Sequence, residues 1–255
     1  MSDPAADLQP WLRLPWGDVG IAWVDVETTG LDPATAEIVE VAVVVSPGRG
    51  EPPVLALSER VRPAHPIPPE ATAVHGITDD DVADAPSWAD VRPGVIKAIG
   101  ERPWGAYNAP FDAGFLGLDL TYAVDAMVPV GVVDRYRSGK RLSDVARRRG
   151  VILDAHGAAG DAVACAIVWP MMLRELRAKG EARAIGTWEE WLAWERKAAI
   201  AGERDTAAWR ASKGLPWSAP WCDFVGVDVG VGAVQPAAPT HRVGQGGRIE
   251  PTGAP

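Results

Sequence analysis

The stretch Gly20–Asp32, GIAWVDVETTGLD, decides the fold. It starts as an apolar, β-branched run and ends in two carboxylates, Asp25 and Glu27, followed at once by Thr28, Thr29 and Gly30. Residues two apart on a strand share a face. Ala22, Val24 and Val26 therefore point one way, and Ile21, Trp23, Asp25 and Glu27 the other. That second face is apolar at its start and doubly acidic at its end. Like charges side by side are unfavourable unless something cationic sits between them, so the pattern calls for a cation.

Around this stretch the chain alternates between strand and helix patterns. Residues 19–27, 37–45 and 54–62 read as three strands, β-branched and separated by Gly/Pro-rich turns, so the sheet should begin as an antiparallel meander. Residues 62–82, RPAHPIPPEATAVHGITDDDV, read as a Pro-rich loop with a short acidic turn. A helix is expected over 87–100, with Ser87 as its cap and Pro93 awkward in its interior. A short strand at 102–108, a helix opened by Pro110 and a short strand at 121–127 follow. Next come a basic helix over Leu142–Arg149 and a helix over 160–180 interrupted at Pro170. Interleaved strands and helices argue for an α/β domain with a mixed sheet.

After about Gly180 the character changes. Residues 187–214 are amphipathic and helical, with Trp188, Trp191 and Trp194 at intervals of three. Packing back onto the domain is the ordinary role of such a stripe; a partner-binding or base-stacking surface is the alternative. From Val225 the chain is Gly/Pro/Ala-rich without periodicity, which predicts a disordered tail. The expected organisation is an N-terminal extension over 1–17, a main α/β domain over 18–180, a Trp-rich helical segment over 181–224 and the tail over 225–255.

Composition bounds the class. The chain has 255 residues, 47% hydrophobic and 23% charged, as in a soluble globular protein. No run approaches the roughly 18 apolar residues of a membrane span, and the acidic start shows no signal-peptide pattern. With only Cys165 and Cys222, a thiolate zinc site is excluded and a cytoplasmic location is expected. The net charge of −9 does not itself point to nucleic acid. Yet Arg135, Arg137, Lys140, Arg141, Arg147, Arg148 and Arg149 cluster with only Asp144 among them. A solvated helix face explains that cluster; beside an acidic metal site it could instead hold a phosphate backbone.

Two further acidic motifs join the first. In YNAPFDAGFL, Tyr107–Leu116, Phe111 and Phe115 lie four apart and should anchor one helix face in the core. Asp112 falls in that helix's first turn, where the dipole favours a carboxylate. In DAHGAAGDAVACAIV, Asp154–Val168, His156 and Asp161 are five apart. Gly157 and Gly160 fit a loop that delivers His156, with Asp161 at the start of the next helix. A surface histidine and an ordinary helix-terminal aspartate account for the same residues equally well.

Taken together and in this order, Asp-x-Glu-Thr-Thr-Gly, Asn-x-x-Phe-Asp and His-x-x-x-x-Asp-Ala closely resemble the DnaQ-like 3′→5′ exonucleases of the DEDD superfamily, in the subgroup with a catalytic histidine. The resemblance covers roughly residues 18–178 and includes AVHGITDDDV between the first two motifs. It implies a ribonuclease H-like α/β fold, a mixed five-stranded sheet flanked by helices. It also implies that Asp25, Glu27, Asp112 and Asp161 bind metal and that His156 is the general base. Leu31 would pack on a base and His75 would lie near the substrate; Thr28, Thr29, Gly30, Asn108 and Phe111 are further candidate contacts.

The chemistry agrees. Two divalent ions can both activate water and stabilise the departing oxygen of a phosphodiester. Hard Mg²⁺, for which Mn²⁺ can substitute, wants the oxygen ligands that clustered carboxylates supply. A histidine with a reference pKa of about 6.5 can take the water's proton near neutral pH. The expectation is an exonuclease acting on 3′ ends of single-stranded or frayed DNA, with short RNA as the alternative substrate. An interaction module tethered to a polymerase or repair complex, in proofreading or repair, is the alternative from another class. No membrane partner is expected.

Overall fold

A computed structural model describes residues 9–152, 157–183, 185–215, 220–225, 241–243 and 249–251. The chain divides into two compact units, Met1–Ala198 and Ala199–Pro255. Two 3-10 turns, Pro10–Arg13 and Trp16–Asp18, lead into the first. Strands β1 (Ile21–Thr28), β2 (Ile38–Ser46) and β3 (Val54–Arg60) follow as an antiparallel meander. Helices α1 (Pro69–His75), α2 (Asp79–Val82) and α3 (Trp88–Ile99) cross to β4 (Trp104–Ala106). Then come α4 (Ala109–Leu116), β5 (Ala123–Asp125), α5 (Met127–Val133), α6 (Leu142–Arg148) and α7 (Ala158–Ala178). The sheet order is β3-β2-β1-β4-β5, with β4 parallel to both β1 and β5.

The expected mixed five-stranded sheet is therefore present, with β1 at its centre. Ile21 and Trp23 on the predicted apolar half-face join a core with α7, where Trp23 meets Trp169 at 5.6 Å. Gly105, opposite Trp23 in the parallel ladder, makes room for that indole: a Cβ there would sit 2.8 Å from the ring. Helix α3 packs on β2 and β3 and starts in a capping box, Ser87 and Asp90 each satisfying the other's backbone.

Three expectations are corrected. The stretch 62–82 contains helix α1, started by Pro69 and stopped by Gly76 in the left-handed region (φ 76°). The Pro content hid an Ala-containing turn with proper punctuation at both ends. Helix α7 runs unbroken through Pro170, because Val168, Trp169, Met172 and Leu173 around it are all buried and hold both halves in line. Third, Phe111 and Phe115 pair at 5.0 Å but stay half-buried. Ala109, Ala113 and Leu116 make the buried face of α4 instead.

Helix α8 (Trp188–Ala211) begins in the first unit and ends in the second. Trp188 and Trp191 are buried, Trp188 stacking on Trp169 at 6.0 Å, so the tryptophan stripe packs into the core. Trp11, from the expected N-terminal extension, meets Trp188 edge-on at 5.9 Å. In the second unit, Glu203 accepts from the amides of Trp221 and Cys222 at the start of α9 (Pro220–Val225), both at 2.8 Å. Most of the tail lies outside the described residues; within it, β6 (His241–Val243) and β7 (Ile249–Pro251) pair antiparallel, where no strand was expected. Among the described residues no helix is long and apolar enough to cross a membrane.

Candidate active site

The site forms at the carboxyl end of β1. Because Trp23, Asp25 and Glu27 share a face, the face that packs on Trp169 of α7 carries its two acids toward that helix's N-terminus. Asp161, eight residues before Trp169, lies in the first turn of α7. The geometry closes: one carboxylate oxygen each from Asp25, Glu27 and Asp161 lie within 4.8 Å of one another. A bulge between Glu27 and Thr28 ends the regular pairing.

Asp112, in the first turn of α4, is buried beside this trio at 4% exposure. Burial raises the Asp25 carboxyl well above its usual range, and the charges of Asp112, Asp161, Glu27 and Glu40 add to it. Asp112 is also raised well above its ordinary value, first by burial, then by Asp125 and Glu27, although the Val26 backbone amide opposes this. Glu27 is pushed up to about 7 by burial, Asp161 and Glu40, with Arg60 acting against them. These shifts have a single cause: too many carboxylates in too little water.

The donor set fits a hard divalent cation. It is all oxygen, it converges from two elements, and its mutual repulsion is what such an ion would relieve. Asp25, Glu27 and Asp161 would hold it, with Asp112 adjoining. Cys165, one turn beyond Asp161, is fully buried, and burial with the neighbouring Asp25 and Asp161 charges keeps its thiol protonated.

Beside the acids opens a cavity of about 510 Å³. Asp25, Asp112 and Asp161 form one wall, and Tyr107, Asn108, Phe111 and Met127 contribute others. Lys140 and Arg141 line it as well. Tyr107 donates to the Lys140 carbonyl and so ties that part of the lining to the end of β4.

The other sequence candidates fall in different places. Thr28 Oγ donates to the Gly30 carbonyl at 2.6 Å, and Thr29 exchanges bonds with Glu37, so the turn after β1 is internally tied. Leu31 at its tip is 85% exposed. His75 is buried: its Nδ1 accepts the Ile77 amide at 3.0 Å, and it does not line the cavity. His156 lies outside the described residues.

Glu40 was missed. It faces Glu27 across the β1–β2 ladder, is buried, and its Oε2 accepts the Ala158 amide at 2.8 Å. That bond docks the N-terminus of α7, and with it Asp161, onto β2; Arg60 balances the charge at 3.4 Å. A lone acid inside EIVEVAVVV was the available signal. Glu195 of α8 was missed as well: buried at 1% exposure, it accepts the Asp125 amide at 3.3 Å, next to Met127 at the cavity wall.

Comparison with known proteins agrees with the geometry. The family model for exonucleases (RNase T) matches residues 22–168. The "Uncharacterized exonuclease CP81" of Escherichia phage 186 is 41% identical over 97 residues, 38% of this chain and 47% of that one. A "DNA polymerase III subunit epsilon-like protein" of Rhodobacter capsulatus is 37% identical over 172 residues, 61% of this chain and 24% of the relative. The chain thus spans less than half the length of either. A solved structure of "Exonuclease X in complex with 5′ overhanging duplex DNA" superposes with a TM-score of 0.51 at 26% identity, covering 69% of this chain and 99% of the other. An acid trio at the end of a central strand, on this sheet and within that match, places the chain in the exonuclease family, the DnaQ-like branch of the DEDD superfamily.

Proposed function

We propose that the chain is a metal-dependent 3′→5′ exonuclease that removes nucleotides from single-stranded or frayed DNA ends as nucleoside 5′-monophosphates. The observation that carries this is the convergence of the Asp25, Glu27 and Asp161 carboxylates within 4.8 Å at the wall of a nucleotide-sized cavity. Held by those residues and Asp112, two Mg²⁺ ions, or Mn²⁺ in their place, would supply Lewis-acid activation of water and stabilise the leaving oxygen.

The chain's own residues bind, orient and move the proton. Exposed Leu31 packs on the terminal base, Phe111 and Asn108 line its pocket, and the tied turn Thr28–Gly30 offers backbone to the terminal nucleotide. His156, as in the histidine-containing subgroup, accepts the proton of the attacking water. The water oxygen bonds to phosphorus, the P–O3′ bond breaks, and the 3′-oxygen leaves with a proton from solvent as the new 3′-hydroxyl. Burial lowers the pKa of His75, and the Thr28 backbone partly offsets this.

A second reading, docking to a polymerase or repair complex, is favoured by Trp209 of the second unit, which is 57% exposed. Matched DNA and RNA oligonucleotides with a 5′ label, incubated with the protein and Mg²⁺ or Mn²⁺, test the first reading. Faster 3′-shortening of DNA supports it, and faster loss of RNA would reassign the substrate. Retained hydrolysis with lost partner capture in Trp209→Ala supports docking.

A further inference from the structure

The seven basic residues between Arg135 and Arg149 are not equivalent. The Arg149 side chain is only 6% exposed and bonds Asp134 at 3.1 Å and Glu175 at 2.8 Å. Arg148 bonds the same buried Asp134 at 2.9 Å, and Arg137 reaches it at 3.6 Å. Burial alone would raise the Asp134 carboxyl, but the hydrogen bonds from Arg149 and Arg148 take it below its ordinary value. Arg147 is spent on Asp144 at 3.2 Å. Arg135 also has a partner. Lys140 and Arg141 differ from these five. Both are exposed, neither side chain has an ion-pair or hydrogen-bond partner among the described residues, and both line the cavity that Asp25, Asp112 and Asp161 line.

Two unneutralised cations beside a carboxylate cluster, with neither forming a salt bridge to it, keep a place for an anion. Their backbone is also fixed: Tyr107 donates to the Lys140 carbonyl, and the Arg141 carbonyl accepts the Asp144 and Val145 amides at the start of α6. The side chains therefore project from an anchored backbone, so less ordering entropy opposes binding. The anion must reach these two side chains while the reacting phosphate lies at the acids.

We propose that Lys140 and Arg141 bind the phosphodiester immediately upstream of the scissile one, setting the direction in which a nucleic-acid strand enters the cavity. This rests on the hydrolytic reading above for the scissile end, but the two can fail separately. The remaining arginines of the cluster already have partners, and the basic stretch contributes one phosphate contact, shared by two cations.

The test uses the full chain, a fluorescently labelled oligothymidylate and anisotropy titrations over a series of salt concentrations with metal withheld. Single-stranded binding loses about 0.7 in log–log salt slope for each phosphate contact removed. Lys140→Ala/Arg141→Ala, which together release that one phosphate, should therefore lower the slope by about 0.7 and weaken binding about tenfold at moderate salt. Lys140→Arg/Arg141→Lys should restore the slope. Arg147→Ala, which removes a charge away from the cavity, should leave it unchanged. A slope unchanged in the double variant, or lowered as much by Arg147→Ala, would overturn the proposal.

The p-nitrophenyl ester of thymidine 5′-phosphate carries no upstream phosphate. With metal present, the ratio of kcat/KM on the oligonucleotide to that on the ester should fall about tenfold in the double variant; an unchanged ratio would overturn the assignment. A wild-type protein inert on both substrates would sink the hydrolytic reading, while the anisotropy slopes still decide the role of the two cations.

Discussion

Replacing Glu27 with Gln should stabilise the metal-free protein above neutral pH. Glu27 sits within 4.8 Å of Asp25 and Asp161 and opposite Glu40, and its pKa is pushed up to about 7 from the ordinary 4.5. A carboxyl whose folded pKa is raised stabilises the fold in its protonated form. That stabilisation is complete below about 4.5 and is lost as pH rises through about 7. The gap corresponds to about 3.4 kcal/mol at 1.36 kcal/mol per pH unit. Glu27 is only half-buried, so solvent screening brings the realised figure to about 1–2 kcal/mol.

Thermal melts in EDTA at about pH 5 and about pH 8, followed by tryptophan fluorescence, give the readout. The cluster of Trp16, Trp23, Trp169, Trp188 and Trp191 lies in the same compact unit as Glu27 and reports its unfolding. At the higher pH the variant should melt about 3–6 °C above wild type, and the two should converge at the lower pH. Adding Mn²⁺ at the higher pH should stabilise wild type by mass action and the variant much less. A variant less stable than wild type at high pH in EDTA would make the carboxylate a net stabiliser without a cation, the opposite of what its crowding requires.

Glu40→Ala leaves the buried Ala158 amide without its acceptor and should cost about 1–3 kcal/mol, while Glu40→Gln keeps an acceptor and should cost less; urea denaturation of the two variants checks the order. Arg149→Ala strips a buried partner from Asp134 and a bidentate one from Glu175, and should destabilise by about 3 kcal/mol or more, read by the same denaturation. Leu31→Ala, at a side chain 85% exposed, should change stability by no more than about 0.5 kcal/mol yet raise KM for an oligonucleotide, which a melt and a steady-state assay separate.

The features that depend on local periodicity were legible in the sequence. Alternation in GIAWVDVET placed Trp23 and two acids on one face, and the structure uses that face as read. The first-turn positions of Asp112 and Asp161 were legible from Pro110 and from the glycines before Asp161, although α7 already starts at Ala158, so Gly160 lies within the helix and not in the expected loop. What stayed hidden depends on partners distant in the chain. Glu40 matters because register sets it opposite Glu27 and 118 residues from Ala158. The basic cluster could be sorted only once Asp134 and Glu175 were seen to take up Arg148 and Arg149. The continuity of α7 through Pro170 likewise comes from buried neighbours, which outweigh one missing amide.

If the acids at the end of β1 and the start of α7 form a metal-dependent hydrolytic centre, a 5′-labelled single-stranded DNA incubated with wild type and with Asp161→Asn, each in Mn²⁺ and in EDTA, will show it. Wild type with Mn²⁺ alone should give a ladder shortened from the 3′ end and release nucleoside 5′-monophosphate. Intact oligonucleotide under every condition, or a ladder that persists in Asp161→Asn, would contradict a hydrolytic role for these acids.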